Sequence, residues 1–229
     1  MRRTLTALLF SALGAQAAPA SIPDTLAQRL AACTVCHGKQ GRAAPDGYHP
    51  RIAGKPAVYL LHQLQNFRDG RRRYGPMVAL VDRLPEPYLR EIAEHFAALD
   101  LPYAAPPPAA AGAALLARGR QLALEGDAAQ QLPACAACHG AALTGMLPAT
   151  PGLLGLPRDY LGSQLGAWRT GQRQAHAPDC MAELARRLAG EDITALSAWL
   201  ASQPVPASSG PAPAATRAPP LRCGSVVAP

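Results

Sequence analysis

Two thiols three positions apart, followed at once by an imidazole, occur twice in this chain: Cys33-Thr34-Val35-Cys36-His37 and Cys135-Ala136-Ala137-Cys138-His139. On a helix these positions lie about one turn apart on one face, so two sulfurs and a ring nitrogen share a direction. That donor set attaches a c-type haem: the thiols bond to the porphyrin vinyl groups, and the histidine reaches the iron from the same side. The second copy stands 102 positions after the first, and a glycine, Gly38 or Gly140, follows each histidine. A zinc ribbon would bring its thiol pairs within roughly 15 to 20 residues of each other. A thioredoxin-like pair would sit between a strand and a helix, with no histidine required behind it. The chain is therefore expected to hold two covalently bound haem c groups through Cys33, Cys36, Cys135 and Cys138, with His37 and His139 as iron ligands.

Each iron has a second face, and the repeat points to its ligand. Met77 follows His37 by 40 positions and Met181 follows His139 by 42; no other methionines match across the halves. A thioether there favours ferrous iron and raises the potential, which suits an electron carrier. Methionine is more often core filler, and the matched position is what singles these two out. Met146, only seven residues past His139 and without a counterpart, reads as packing. His49, His62, His95 and His176 have no matching histidine and read as surface or internally satisfied residues. Cys180, beside Met181, has a thiol partner available in Cys223 if the compartment is oxidising, although spacing does not fix the pairing.

A proximal histidine normally donates its other N–H to a carbonyl, and the segments at Pro50 and Pro151 are the candidates to accept it. Arg72 and Arg173 match across the repeat and read either as partners of haem propionates or as solvated loop residues. Tyr59, Phe67, Tyr160 and Trp168 recur at helical spacing and read as packing around the haems.

These groups need elements to place them. Pro23-Asp24 opens a helix that carries Leu26 and Leu30 and runs into Cys33. Gly38 to Pro56 has no clean period and reads as loop. Ala57 to Arg68 is helical, with Tyr59, Leu60, Leu64 and Phe67 on one side, and Gly70 ends it. A short helix over Met77 to Leu84 and a closing helix over Pro87 to Leu99 follow, the latter with Leu89, Ile92, Ala93 and Phe96 inward. The second half repeats the order, from the helix at Ala113–Leu124 through the match of Tyr160, Gln164 and Trp168 to Tyr59, Gln63 and Phe67. The expected division is a signal peptide at 1–17, a first domain at 18–100, a proline-rich linker at 101–112, a second domain at 113–203 and a disordered Pro/Ala-rich tail at 204–229.

Arg2-Arg3, the apolar run from Leu5 to Leu13 and Ala15-Gln16-Ala17 form the three parts of a cleaved secretory signal. The run is too short to span a bilayer, which needs about 20 apolar residues. Haem is attached to such motifs outside the bacterial cytoplasm, so both signals imply the periplasm. The net charge is +7, with 11 basic and 8 acidic residues between Ala18 and Asp100 against seven of each between Leu101 and Gln203. That excess lacks the dense basic stripe of a nucleic-acid binder and suits an acidic redox partner docking on the first domain.

With both motifs in place, the chain resembles the two-domain, dihaem class I cytochromes c of the cytochrome c4 type, from about Asp24 to Gln203. The likeness rests on the haem motifs, the segments Pro50–Gly54 and Pro151–Gly155, and the helices ending in Arg68-Asp69-Gly70 and Arg169-Thr170-Gly171. The two methionine helices and the run Leu132–Gly140 add to it. The resemblance implies an all-α fold of two tandem class I cytochrome c domains packed around two haems near their interface, with His37/Met77 and His139/Met181 ligation. It also implies a monomeric periplasmic electron carrier, with no catalytic residue of its own, between respiratory partners such as a terminal oxidase. The tail, Cys180 and His49 depart from the family pattern. Two other readings stay open: a cytochrome subunit of a membrane dehydrogenase or oxidase complex, and a dihaem peroxidase, against which the matched methionines argue.

Overall fold

The computed structural model describes residues 23–109, 111–214 and 219–226; the expected signal peptide lies outside them. Helix α1 (Leu26–His37) starts where the Thr25 hydroxyl accepts the Gln28 N–H at 3.3 Å. A 3-10 turn and a loop lead to α2 (Ala57–Arg68), α3 (Gly75–Val81) and α4 (Glu86–Ala97). Pro76 and Pro87 occupy first turns, where a missing N–H leaves no bond unmade. Pro76 also explains why α3 begins ahead of Met77 rather than at it. Leu89, Ile92, Ala93 and Phe96 are all buried, and α4 packs them on Leu60, Leu61 and Phe67 of α2. Each large side chain so buried contributes about 2 kcal/mol.

The second unit comprises α5 (Ala113–Leu124), α6 (Ala136–His139), β1 (Gly145–Met146), β2 (Thr150–Pro151), α7 (Arg158–Thr170), α8 (Cys180–Arg187) and α9 (Gly190–Ser202). Helix α5 packs on α9 at Gly119, where a Cβ would lie 2.7 Å from the Trp199 Cβ, so only glycine permits the approach. Arg118 joins α5 to Asp192 of α9 and to Asp127, both at 2.8 Å. The second haem motif differs from the first in its setting. Where α1 carries all of Cys33–His37, the chain turns at Gly126 (φ 81°), bridges Asp127 to Leu132, and leaves α6 a single turn with Cys135 at its cap. The antiparallel pair β1–β2 (Gly145 opposite Pro151, Met146 opposite Thr150) is the one departure from an all-helical plan among the described residues.

The two units meet along a seam with approximate two-fold symmetry. Arg72 and Arg173 face each other in an antiparallel bridge. Arg72 donates to Gln63 of its own unit at 3.2 Å and to Gln164 of the other at 2.8 Å; Arg173 donates to Gln164 at 2.7 Å and crosses to Gln63 at 2.8 Å. Arg72 also reaches the Tyr160 hydroxyl. The linker is pinned as well: the Pro102 carbonyl accepts from Arg42 and Arg51, both at 3.2 Å, and the Tyr103 ring lies under Arg51 and against Gly155.

The tail, expected to be disordered, makes defined contacts at several points. Ala212 exchanges backbone bonds with Gly145 and Leu147, Val205 packs on the second core, and Gly224 N–H donates to the Pro178 carbonyl. Cys180 and Cys223 form a disulfide, Cα to Cα 5.1 Å. The proline-rich composition conceals these points because the holding groups are single apolar side chains, backbone bonds and one sulfur. No helix among the described residues is long and apolar enough to cross a membrane.

Candidate haem sites

In the first unit, α1 delivers Cys33, Cys36 and His37 to one side of a deep cavity. Gly38 (φ 74°) then reverses the chain, and a Cβ there would collide with the Ala43 carbonyl. Ala43 N–H closes on the His37 carbonyl, while Ile52 and Ala53 N–H both bond to Gly41. This folded loop brings the Pro50 carbonyl to 2.8 Å from His37 Nδ1. Nδ1–H is thereby engaged as donor, and Nε2 is left as the free lone pair. Burial lowers the His37 pKa, so the ring is neutral, as an iron ligand must be.

The second unit reaches the same end by another route. Gly140 (φ 83°) follows His139, Leu153 N–H bonds to the Leu143 carbonyl, and the β1–β2 pair sets Pro151 so that its carbonyl lies 2.7 Å from His139 Nδ1. The four motif thiols are unpaired. Burial raises Cys33 and Cys138 and pushes Cys135 up to about 12. Such thiols stay protonated, unlike those of a reactive redox pair.

One continuous cavity of about 700 Å³ borders both motifs, and Met77 of α3 and Met181 of α8 both line it. Met146 lines it too, in β1 close to Gly140, so the wall includes a methionine that reads from sequence as packing alone. The disulfide takes Cys180 out of consideration as a thiolate ligand. Of the four unmatched histidines, His49 bonds to Asp46 and its ring lies 6.1 Å from that of His37; His95 meets Phe96 edge to face. His62 and His176 stack on each other across the seam at 4.7 Å, with Arg71 reaching His176 at 3.3 Å.

The charge of the cavity wall tests what fits inside. Arg51, Lys55 and Arg173 are each no more than 5% exposed, Arg72 joins them, and none of the four has a carboxylate partner among the described residues. The one acid in the wall, Asp179, spends its oxygens on the backbone N–H groups of Ala175 and Ala182. Trp168 Nε1 is buried with no acceptor. An apolar cavity ringed by unmatched cations and an orphan donor fits a flat apolar group with carboxylates at its edge, which is a haem with its propionates. Arg72 and Arg173, left open between propionate and solvent, are thus seam residues, Arg72 half-buried and Arg173 buried, rather than solvated ones. Lys55, Gln63, Gln164 and Trp168 Nε1 form part of this polar ring, and none had stood out for that role. Lys55 had no matched partner to flag it, and its bond to Gly152 spans 97 positions.

No family model matches the chain. It is 36% identical over 205 residues to the thiosulfate dehydrogenase electron acceptor of Thiomonas intermedia, covering 90% of this chain and 93% of the relative. Among solved structures, the reduced recombinant cytochrome c4 of Pseudomonas stutzeri aligns with a TM-score of 0.67 and 30% identity, over 77% of this chain and 96% of that one. The thiosulfate dehydrogenase TsdBA of Marichromatium purpuratum aligns with a TM-score of 0.68 and 34% identity over 75% of this chain, which spans 36% of that longer one.

Proposed function

Since the chain belongs to the cytochrome c4 family of dihaem cytochromes, we propose that it accepts electrons from a thiosulfate-oxidising dehydrogenase in the periplasm and passes them to a respiratory acceptor. It is an electron-transfer protein with two covalently bound haem c groups. Each haem, when bound, supplies a one-electron iron couple. The chain's own residues decide how that couple is held. Cys33 and Cys36, and Cys135 and Cys138, anchor the two groups. His37 and His139 present Nε2, fixed in orientation by the Pro50 and Pro151 carbonyls. Met77 and Met181 supply the thioethers that favour the reduced state. Arg72 and Arg173 neutralise carboxylates at the seam and so hold the two centres in one rigid pair.

The observation that carries the choice of donor is the 36% identity, over nearly the full length of both chains, to a protein named for accepting electrons from thiosulfate dehydrogenase. Export is supported by the Cys180–Cys223 disulfide, which persists in an oxidising compartment, and by the signal-like start of the chain. The oxidised holoprotein, mixed with a thiosulfate dehydrogenase and thiosulfate, is expected to show both haems reduced in its visible spectrum. A protein that stays oxidised under those conditions, yet is reduced by a small-molecule reductant, would refute this donor. The 96% coverage of a cytochrome c4 structure favours a second reading, a general carrier to a terminal oxidase, which would then become the better one.

A further inference from the structure

Lys55 belongs to the first unit but does its work in the second. It follows Gly54 in the loop before α2, and it is 5% exposed. Its ammonium donates across the seam to the Gly152 carbonyl at 3.1 Å. Gly152 directly follows Pro151, whose carbonyl holds His139 at 2.7 Å. The Lys55 ammonium therefore sits beside the loop that holds His139 in the second haem site. The arrangement has no mirror image: the position after Gly155, which matches Gly54, is Leu156, an apolar core residue.

Burial, with the like charge of Arg51 adding to it, brings Lys55 down to about 7. A buried ammonium in this condition needs an anion beside it, and the one acid in the wall, Asp179, is bonded to the backbone N–H groups of Ala175 and Ala182 rather than to Lys55. The carboxylate edge of the second haem, which the unmatched cations of the cavity already fit, is the available counter-charge.

We infer that Lys55 is a cross-domain positioning residue that holds a carboxylate of the second haem and raises the reduction potential of that centre alone. The sign follows from charge. When the second centre takes one electron from a donor, it loses one positive charge while the donor gains one. A neighbouring ammonium in a low-dielectric wall favours the less positive, reduced state. The inference rests on the haem-bearing reading of the second unit, and it is independent of which protein donates the electrons.

The test is a spectroelectrochemical titration of the holoprotein with both haems attached. Met77→His and Met181→His, each expected to drop one step, assign the two steps to their domains. Lys55→Met keeps roughly the length of the side chain and removes its charge, and a visible spectrum like that of the unaltered holoprotein shows that both haems are still held. Lys55→Gln is a second, shorter neutral variant. Both are expected to shift the second-domain step to lower potential and leave the first-domain step in place. Lys55→Arg, which keeps the charge, is expected to restore most of the shift. An unchanged second step in both neutral variants would overturn the inference, as would equal movement of both steps or a shift confined to the first. Failure of the thiosulfate experiment, with these shifts intact, would instead count only against the donor.

Discussion

Two proline carbonyls, Pro50 and Pro151, hold the proximal histidines at 2.8 and 2.7 Å, and each depends on a chain reversal that a glycine begins. At this scale the thioethers are the residues most open to trial. Met77→Ala and Met181→Ala are each expected to abolish the ferric methionine-sulfur charge-transfer band at one haem and lower that haem's potential. A band of full intensity in either variant would show that the methionine replaced is not a ligand. The motif histidines and cysteines stand out by spacing alone, because haem attachment demands five residues in a fixed order. The need for a carbonyl at Nδ1 follows from the same chemistry. Lys55 and the orphan Trp168 Nε1 are not legible, since a lone lysine in a loop and a helix tryptophan look the same whether they face solvent, core or cofactor. Only three-dimensional burial separates those cases.

Helices with apolar faces are readable where a period of 3.6 extends over several turns, as in α2 and α4. The one-turn α6 and the two-residue strands were not, because elements that short contain no period to detect. The tail belongs with them. Its composition denies it a core, but a disulfide spanning 43 positions ties it to the start of α8, next to Met181. Closing a loop of that length removes unfolded-state entropy worth about 4 kcal/mol. Cys223→Ser is accordingly expected to cost the second unit up to about 4 kcal/mol in a denaturant melt followed by its haem absorption, and to leave the first unit unchanged. Equal loss in both units would mean that the strap supports the seam rather than the domain.

Across the whole molecule, the two units are joined by paired arginines and glutamines, and this pairing lay beyond the reach of sequence. Gln63 and Arg173 meet across 110 positions, and neither carries a local mark of its partner. The stacked pair of His62 and His176 gives the seam a pH limit. Burial lowers both pKa values, His176 and Arg71 add to the effect on His62, and the Ser225 carbonyl partly opposes it. The folded state thus keeps both rings neutral at pH values where the unfolded chain, at the ordinary value near 6.5, takes up protons. Stability rises with pH through that region and is lost as pH falls below about 6.5. The melting temperature is expected to drop between about pH 7 and 5.5, and His176→Asn to flatten that part of the profile; an unaltered slope would show that other groups set it.

The six cysteines carry a further consequence, one of timing. Four sulfurs must remain thiols until they meet a porphyrin, while two must lose their hydrogens to each other. Sulfurs oxidised in order of their appearance along the chain would couple Cys33 to Cys36 and Cys135 to Cys138, forfeiting both haems and leaving the strap intact. The native pattern needs the motif sulfurs still reduced when they meet their porphyrins, and Cys180 oxidised only with Cys223. Maturation of this chain therefore asks for reduction at four sulfurs and oxidation at two others.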